Sequence, residues 1–382
     1  MKITRIETFA VPPRWLFCRV QTDDGLIGWG EPVVEGRTEA VRGAVAALSE
    51  LLIGEDPRQI ERHWQRMTKG GFYRGGPVLS SAVAGLDQAL WDILGKSLGV
   101  PVHVLLGGAV RDRVRVYGWI GGDDPAQVAD AAVAQSEAGL TAVKMNATGR
   151  WDPFAPASSV DAAVARAETV RAATGKDFGL GLDFHGRVGP ADARRLLRAL
   201  EPVAPLFVEE PVLPEFGSQL QALVAGTTIP LAIGERLYDR LSFQAPLEAG
   251  VAVVQPDLSH AGGISESRRI AALAEMYGAL LAPHCPLGPI ALAACLQVDF
   301  ATPNFLIQEQ SIGMHYNTGG TQLLDYVVDT TPFEFQDGHI ERWDGAGLGV
   351  QVDEDAVRAA DARAHTWRNP VWEHPDGSFA EW

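Results

Sequence analysis

The feature that most constrains this chain is a rhythm that begins near residue 114. Short apolar runs end in polar residues, and a helix-like interval follows each run. The runs are Val114–Ile120, Thr141–Asn146, Phe178–His185, Leu206–Glu210, Leu231–Glu235, Val251–Asp257, Leu280–His284 and Phe305–Glu309. Between them apolar residues recur at helical spacing, for instance over Pro125–Ala138, Asp161–Ala173 and Gly263–Tyr277. Alternating strand and helix calls for parallel strands joined by crossovers, and eight such strands call for a closed barrel.

The polar run ends sharpen this. Asp183, Glu209, Glu235, Asp257, His284 and Glu309 follow one another at 26, 26, 22, 27 and 25 residues, each about one βα unit. All six then sit at the C-terminal ends of strands, the face on which barrels of this type carry their active sites. One or two could be helix caps. Six in register are costly at buried strand ends unless they are used. Asp183, Glu209 and Glu235 offer oxygen ligands only, which suits a hard ion, Mg²⁺ before Ca²⁺ or Zn²⁺. His185, two residues after Asp183 on one strand, should face the same side. Asp257 beside His284 is a carboxylate–imidazole pair, a candidate general base.

The first ~110 residues read differently. Lys2–Pro12, Phe17–Thr22 and Leu26–Glu31 alternate around an Asp23-Asp24-Gly25 turn, a β-meander, and Arg37–Leu52 and Val78–Leu98 carry helical spacing. The stretch from Gly320 to Trp382 is too short to stand alone and is expected to pack back on that beginning. The expected division is therefore 1–113, 114–319 and 320–382. A glycine-rich phosphate loop at Gly70–Gly76 is discarded, because no strand–loop–helix context supports it.

Composition narrows the partners. Forty-eight acidic against 32 basic residues give a net charge of −16, a field that repels nucleic acid. A small anionic substrate then needs a metal cation or local Arg and Lys. No apolar run reaches the ~18–20 residues of a membrane span, and the first residues alternate without a signal-like apolar core. Three cysteines are too few for a disulfide framework. A cytoplasmic enzyme is expected.

Longer motifs carry a resemblance. They include Pro12-Pro13-Arg14-Trp15, Gly71-Phe72-Tyr73-Arg74-Gly75-Gly76-Pro77, Gly181-Leu182-Asp183-Phe184-His185-Gly186-Arg187-Val188 and Glu209-Glu210-Pro211-Val212-Leu213. They continue in Gln255-Pro256-Asp257-Leu258-Ser259-His260-Ala261-Gly262-Gly263-Ile264, Ala282-Pro283-His284-Cys285-Pro286-Leu287-Gly288-Pro289, Gln308-Glu309-Gln310-Ser311 and Trp367-Arg368-Asn369-Pro370. Over nearly its whole length the sequence resembles the enolase superfamily, in its mandelate racemase-like subgroup, and there the sugar-acid dehydratases that act on galactonate. The resemblance implies a (β/α)₇β modified TIM barrel under an α+β capping domain formed by the N-terminal and C-terminal segments. It also implies Mg²⁺ on Asp183, Glu209 and Glu235, stabilising an enediolate of an aldonate. His284, paired with Asp257, would take the α-proton, His185 would protonate the departing 3-hydroxyl, and Glu309 would hydrogen-bond the enediolate. A homo-oligomer, an octamer among the options, is implied as well.

The second strand ends Lys144-Met145-Asn146, where racemases of the subgroup place a Lys-x-Lys pair. Asn146 cannot serve as a second base, which disfavours racemisation; Lys144 and Asn146 are instead assigned to substrate binding. Because the cap closes the mouth in this family, Arg14, Trp15, Tyr73 and Arg74 are the specificity candidates. The segment 147–158 either reshapes the rim or is an inert insertion. The rival functions are dehydration of another aldonate (gluconate, fuconate or arabinonate), an epimerase, and a metal-dependent sugar-acid binding protein without catalysis.

Overall fold

The chain opens with the expected meander, β1 (Ile3–Val11), β2 (Trp15–Thr22) and β3 (Ile27–Gly30), antiparallel in that order. The structure is a computed structural model that describes residues 1–121, 124–313, 322–363, 365 and 367–382. The expected boundary at 319/320 lies outside the described residues. Helices α1 (Thr38–Ser49), α2 (Ile60–Lys69) and α3 (Pro77–Leu98) follow the meander. The sequence reading has no counterpart for α2. Its buried stripe of Ile60, His63, Trp64 and Met67 is interrupted by charged residues and contains a histidine.

Helix α3 joins the parts. It opens on Pro77, whose missing N–H costs nothing in the first turn, and ends at Gly99 in the left-handed conformation. Its polar side chains are buried and spent on neighbours. Asp92 accepts N–H bonds from Trp29 at 3.0 Å and from Leu348 at 2.9 Å. Gln88 accepts from Glu31 N–H at 2.8 Å and donates to the Leu258 carbonyl at 3.0 Å. Each such group left unpaired would cost ~1–3 kcal/mol, so these bonds fix how meander and barrel meet. The meander comes so close to α3 that a Cβ on Gly30 would collide with the Gly85 carbonyl.

After a single turn, α4 (Val102–Leu105), the barrel begins. Its strands are β4 (Arg113–Ile120), β5 (Ala142–Asn146), β6 (Gly179–Asp183), β7 (Phe207–Glu209), β8 (Leu231–Ile233), β9 (Val253–Val254), β10 (Leu280–Leu281) and β11 (Gln308–Gln310). Each is parallel to the next from β4 to β10. A parallel bridge from Leu281 to Phe305 and the pairing of β11 with β4 close the ring. The intervening helices are α5 (Pro125–Glu137), α6 (Ala157–Thr174), α7 (Pro190–Leu200), α8 (Leu220–Val224), α9 (Arg240–Glu248), α10 (Gly263–Met276) and α11 (Pro289–Ala301). This is the (β/α)₇β order. Inward residues Tyr117, Ala142, Phe207, Ala232, Val253, Ala282 and Ile307 fill the barrel as one apolar layer, so the polar groups beyond them stand on a packed floor.

The strands are shorter than the apolar runs. Asp183 and Glu209 end β6 and β7, and Glu309 lies within β11. Glu235, Asp257 and His284 lie two or three residues beyond their strands, the last two joined by an isolated parallel bridge.

The C-terminal residues return to both parts. Strands β12 (Phe335–Gln336) and β13 (His339–Glu341) form a hairpin whose second strand pairs antiparallel with the start of β4. Helix α12 (Glu354–Asp361) lies on the meander, where Asp361 accepts the Ala10 N–H at 2.7 Å. A last hairpin, β14 (Trp372–Glu373) and β15 (Phe379–Ala380), packs on the loop after β5. There Arg150 donates to the Glu373 carbonyl at 2.9 Å, and His374 meets Asp152 at 3.0 Å. Among the described residues, no helix is long and apolar enough to cross a membrane.

Candidate active site

Strand register sets the first half of the site. Asn146 pairs with Asp183 and Asp183 with Glu209, so three expected residues stand side by side on adjacent strands. Lys144 points inward from β5 and is fully enclosed. Its ammonium lies 2.8 Å from both Glu209 oxygens, 3.2 Å from Glu309 and 3.8 Å from Asp183. Burial works against a charged lysine, but those carboxylates outweigh it and hold the ammonium firmly protonated. Gln255 also donates to Glu209, at 2.6 Å. The Asn146 side-chain oxygen is buried and has no hydrogen-bond partner among the described residues.

The three carboxylates read as a metal set are therefore not equivalent. Asp183, Glu235 and His185 each present a ligand atom, all within 4.8 Å of one another. Glu209 turns its oxygens to Lys144 and Gln255 instead. Four carboxylates (Asp183, Glu209, Glu235 and Glu309) and one ammonium share this mouth, an excess of negative charge that a divalent cation would neutralise. The residues fit such an ion.

His185 reaches the mouth by a different route from strand alternation. Strand β6 stops at Asp183, and His185 lies beyond it with φ at +47°, rare for a residue with a side chain. Its N–H donates back to Asp183 Oδ1 at 2.7 Å, and Nε2 comes 2.9 Å from Asp183 Oδ2. Arg236 secures this turn, donating to the His185 carbonyl at 2.9 Å and pairing with Glu210. Burial alone would raise Asp183; His185 and Lys144 hold it well below the usual carboxylate range.

His284 is held from the other side. Its Nδ1 donates to Asp257 Oδ2 at 2.8 Å, while Nε2 faces the mouth 3.1 Å from Glu235 and 4.0 Å from Glu309. Burial disfavours its charged form, yet Glu235, Glu309 and Asp257 push it up to about 10. Glu309 accepts the Cys285 N–H at 3.1 Å, which ties β11 to the residue after His284.

The cap candidates divide. Arg14 lies at the meander edge, 3.6 Å from Glu35 and 3.5 Å from the Pro286 carbonyl, with its guanidinium over Trp367 at 5.1 Å. Trp15 does not reach the mouth: it is fully buried in the meander core against Phe17 and Tyr326. Tyr73 is 87% exposed and touches its neighbour Phe72, and Arg74 donates to the nearby Gly71 carbonyl at 3.0 Å. The segment 147–158 is built in. Trp151 donates to the buried Asp192 at 3.0 Å, and Arg187 donates to the Thr148 carbonyl while lying under Trp372. Sequence reasoning passed over Glu35, Arg236, Gln255 and His260. Gln255 and His260 stood two before and three after Asp257, a usable signal; Glu35 had none.

Residues 10–107 match the family model of the mandelate racemase / muconate lactonizing enzyme N-terminal domain, and residues 127–356 match the enolase C-terminal domain-like model. The chain belongs to the mandelate racemase / muconate lactonizing enzyme family of the enolase superfamily. It is 54% identical to a D-galactonate dehydratase of Ralstonia nicotianae and 51% identical to one of Pectobacterium atrosepticum, each over 100% of both chains. Among solved structures it resembles an enolase from Agrobacterium radiobacter bound to sodium and L-malate. That chain is 35% identical with a TM-score of 0.91, and all of both chains is covered. A mandelate racemase/muconate lactonizing enzyme from Sulfitobacter sp. is 31% identical, with a TM-score of 0.90 over 98% of this chain and 99% of that one. Enzymes of this superfamily use a divalent metal.

Proposed function

We propose that this chain is a hydro-lyase that converts D-galactonate to 2-dehydro-3-deoxy-D-galactonate and water. Full-length identity of 51–54% to D-galactonate dehydratases supports the substrate. The observation that carries the chemistry is the placement of two histidines at one mouth, His284 fixed by Asp257 and His185 fixed by Asp183. With Glu235 given over to the metal rather than to its proton, His284 acts as the neutral imidazole, and Nε2 removes the proton α to the carboxylate. His185 gives a proton to the 3-hydroxyl, the C3–O bond breaks, and water leaves; the resulting enol then becomes the 2-keto acid. Asp257 keeps the His284 imidazole oriented through Nδ1, and the Glu309 carboxyl borders the oxygen that gains charge.

Asp183 and Glu235, with Glu209 turning from Lys144, would hold Mg²⁺, favoured by the carboxylate donors. When bound, that ion supplies a Lewis acid for the substrate carboxylate. Lys144 and Asn146 line the same floor, placed to meet that carboxylate or the adjacent hydroxyl. In this reading the cap is 1–113 with the C-terminal segment, the barrel is catalytic, and the protein works as a cytoplasmic homo-oligomer. A panel of aldonates with Mg²⁺, assayed for dehydration and for deuterium uptake at C2, tests the proposal. Exchange or epimerisation without loss of water would replace it with a racemase, and binding without either would leave a sugar-acid binding protein.

A further inference from the structure

One cap loop brackets the base. Glu31 and Glu35 lie just after β3, on the meander side of the molecule. Glu31, fully buried, accepts the Gly288 N–H at 2.7 Å and the Ala291 N–H at 2.9 Å, where α11 begins a few residues after His284. Glu35 reaches His260, whose Nε2 is 3.7 Å away. The other ring nitrogen, His260 Nδ1, is 3.3 Å from Asp257 Oδ2, the same oxygen that takes the His284 proton. Asp257 Oδ1 is meanwhile held by the Ser259 N–H at 2.6 Å. A continuous line of contacts thus runs from Arg14 and Glu35 on the cap through His260 and Asp257 to His284.

We propose that His260 is a positioning residue for the base, holding Asp257, and through it His284, in register with the seated cap loop. The inference rests on His284 being the base. A chain of this kind needs donors on both ring nitrogens, and the surroundings favour that form. Burial opposes a charged His260, but Asp257 and Glu35 hold its imidazole well above its ordinary value. Burial likewise opposes a charged Glu35, yet Arg14 and His260 bring it down to about 2. His260 then turns Nδ1–H toward Asp257 at 3.3 Å and faces Glu35 with Nε2–H at 3.7 Å, an ion pair rather than a hydrogen bond. The carboxylate that orients the base cannot rotate without breaking three contacts, to Ser259, His284 and His260, and the last of these faces Glu35 of the cap.

The test uses the Mg²⁺-loaded full chain with D-galactonate in D₂O, following C2-proton exchange, dehydration and the urea midpoint. His260→Asn keeps a donor near the Nδ1 position, His260→Gln keeps one near Nε2, and His260→Leu keeps neither. Exchange and dehydration should fall together in kcat by about 10–100-fold in His260→Leu, with KM little changed. His260→Asn should recover most of that rate and His260→Gln less. Glu35→Gln, a milder change that should fold, should lose severalfold in the same kcat. Wild-type exchange in His260→Leu, or a fall in urea midpoint with kcat intact, overturns the proposal. His284→Asn runs alongside. If it still exchanges the C2 proton, the base assignment itself fails. If it does not, while His260→Leu exchanges normally, only the positioning role fails.

Discussion

At the barrel mouth Asp183, Glu209, Asp257 and Glu309 are at most 1% exposed, and each meets at least two partners. On the cap, Arg14 lies 3.5 Å from the Pro286 carbonyl and 3.6 Å from Glu35, and Tyr73 stands almost wholly in solvent. Strand register sets Asp183, Glu209 and Glu309 on a packed apolar layer, and hydrogen bonds hold Asp257 and His284 just beyond their strands. The cap groups hang from loops and depend on what packs against them. In the proposed reading chemistry belongs to the mouth and selectivity to the cap, and substitutions on the two sides should fail in different ways.

The largest effect is expected at the metal candidates. Glu235→Gln should lower turnover by at least ~10³-fold, because the Lewis-acid contribution is worth several kcal/mol and each 1.4 kcal/mol is tenfold. Circular dichroism should stay native, since removing one of several mutually repelling carboxylates relieves the mouth. Chelation should silence the wild-type chain and added Mg²⁺ restore it. Full activity after exhaustive chelation would falsify the metal reading and leave the acidic cluster a structural feature.

Next come the histidines, each expected to cost 10²–10⁴-fold. His185→Asn should stop dehydration while C2 exchange continues, and His284→Asn should lose both. Exchange that survives in His284→Asn and vanishes in His185→Asn would reverse the two roles. Both residues were visible in the sequence, for unequal reasons. The 22–27-residue spacing of polar run ends pointed to His284 and Asp257, which lie paired at 2.8 Å even though their strands stop earlier. His185 was placed by alternation along a strand that in fact ends at Asp183; a left-handed turn, which no periodicity encodes, puts it at the mouth instead. The barrel was legible because each βα unit repeats one pattern. Helix α2 was not, because charged residues interrupt its stripe, and neither was Glu35, whose contact with His260 joins residues 225 positions apart.

Arg14→Ala should have a smaller effect, about 10–100-fold in kcat/KM with little change in the urea midpoint. The pattern across aldonates matters more than the size. A loss concentrated on the best substrate means that Arg14 reads distal hydroxyls. A uniform loss across the panel, carried in kcat, means that it acts through Glu35 and His260, which would extend the mouth's rigid network into the cap.

The smallest effect belongs to Tyr73. Its ring is 87% exposed and its partner Phe72 is 92% exposed, so truncation removes little buried area and no hydrogen bond to the barrel. Surface substitutions of that kind usually stay within about 0.5 kcal/mol, which is two- to threefold at most. Tyr73→Ala should therefore leave kcat/KM for D-galactonate within about threefold and the urea midpoint unmoved. A tenfold rise in KM with kcat preserved would show that the 71–76 loop folds onto bound substrate. The cap would then hold a second, movable contact beside Arg14, and the contrast between fixed mouth and exposed 71–76 loop would describe the enzyme before substrate arrives, not during turnover.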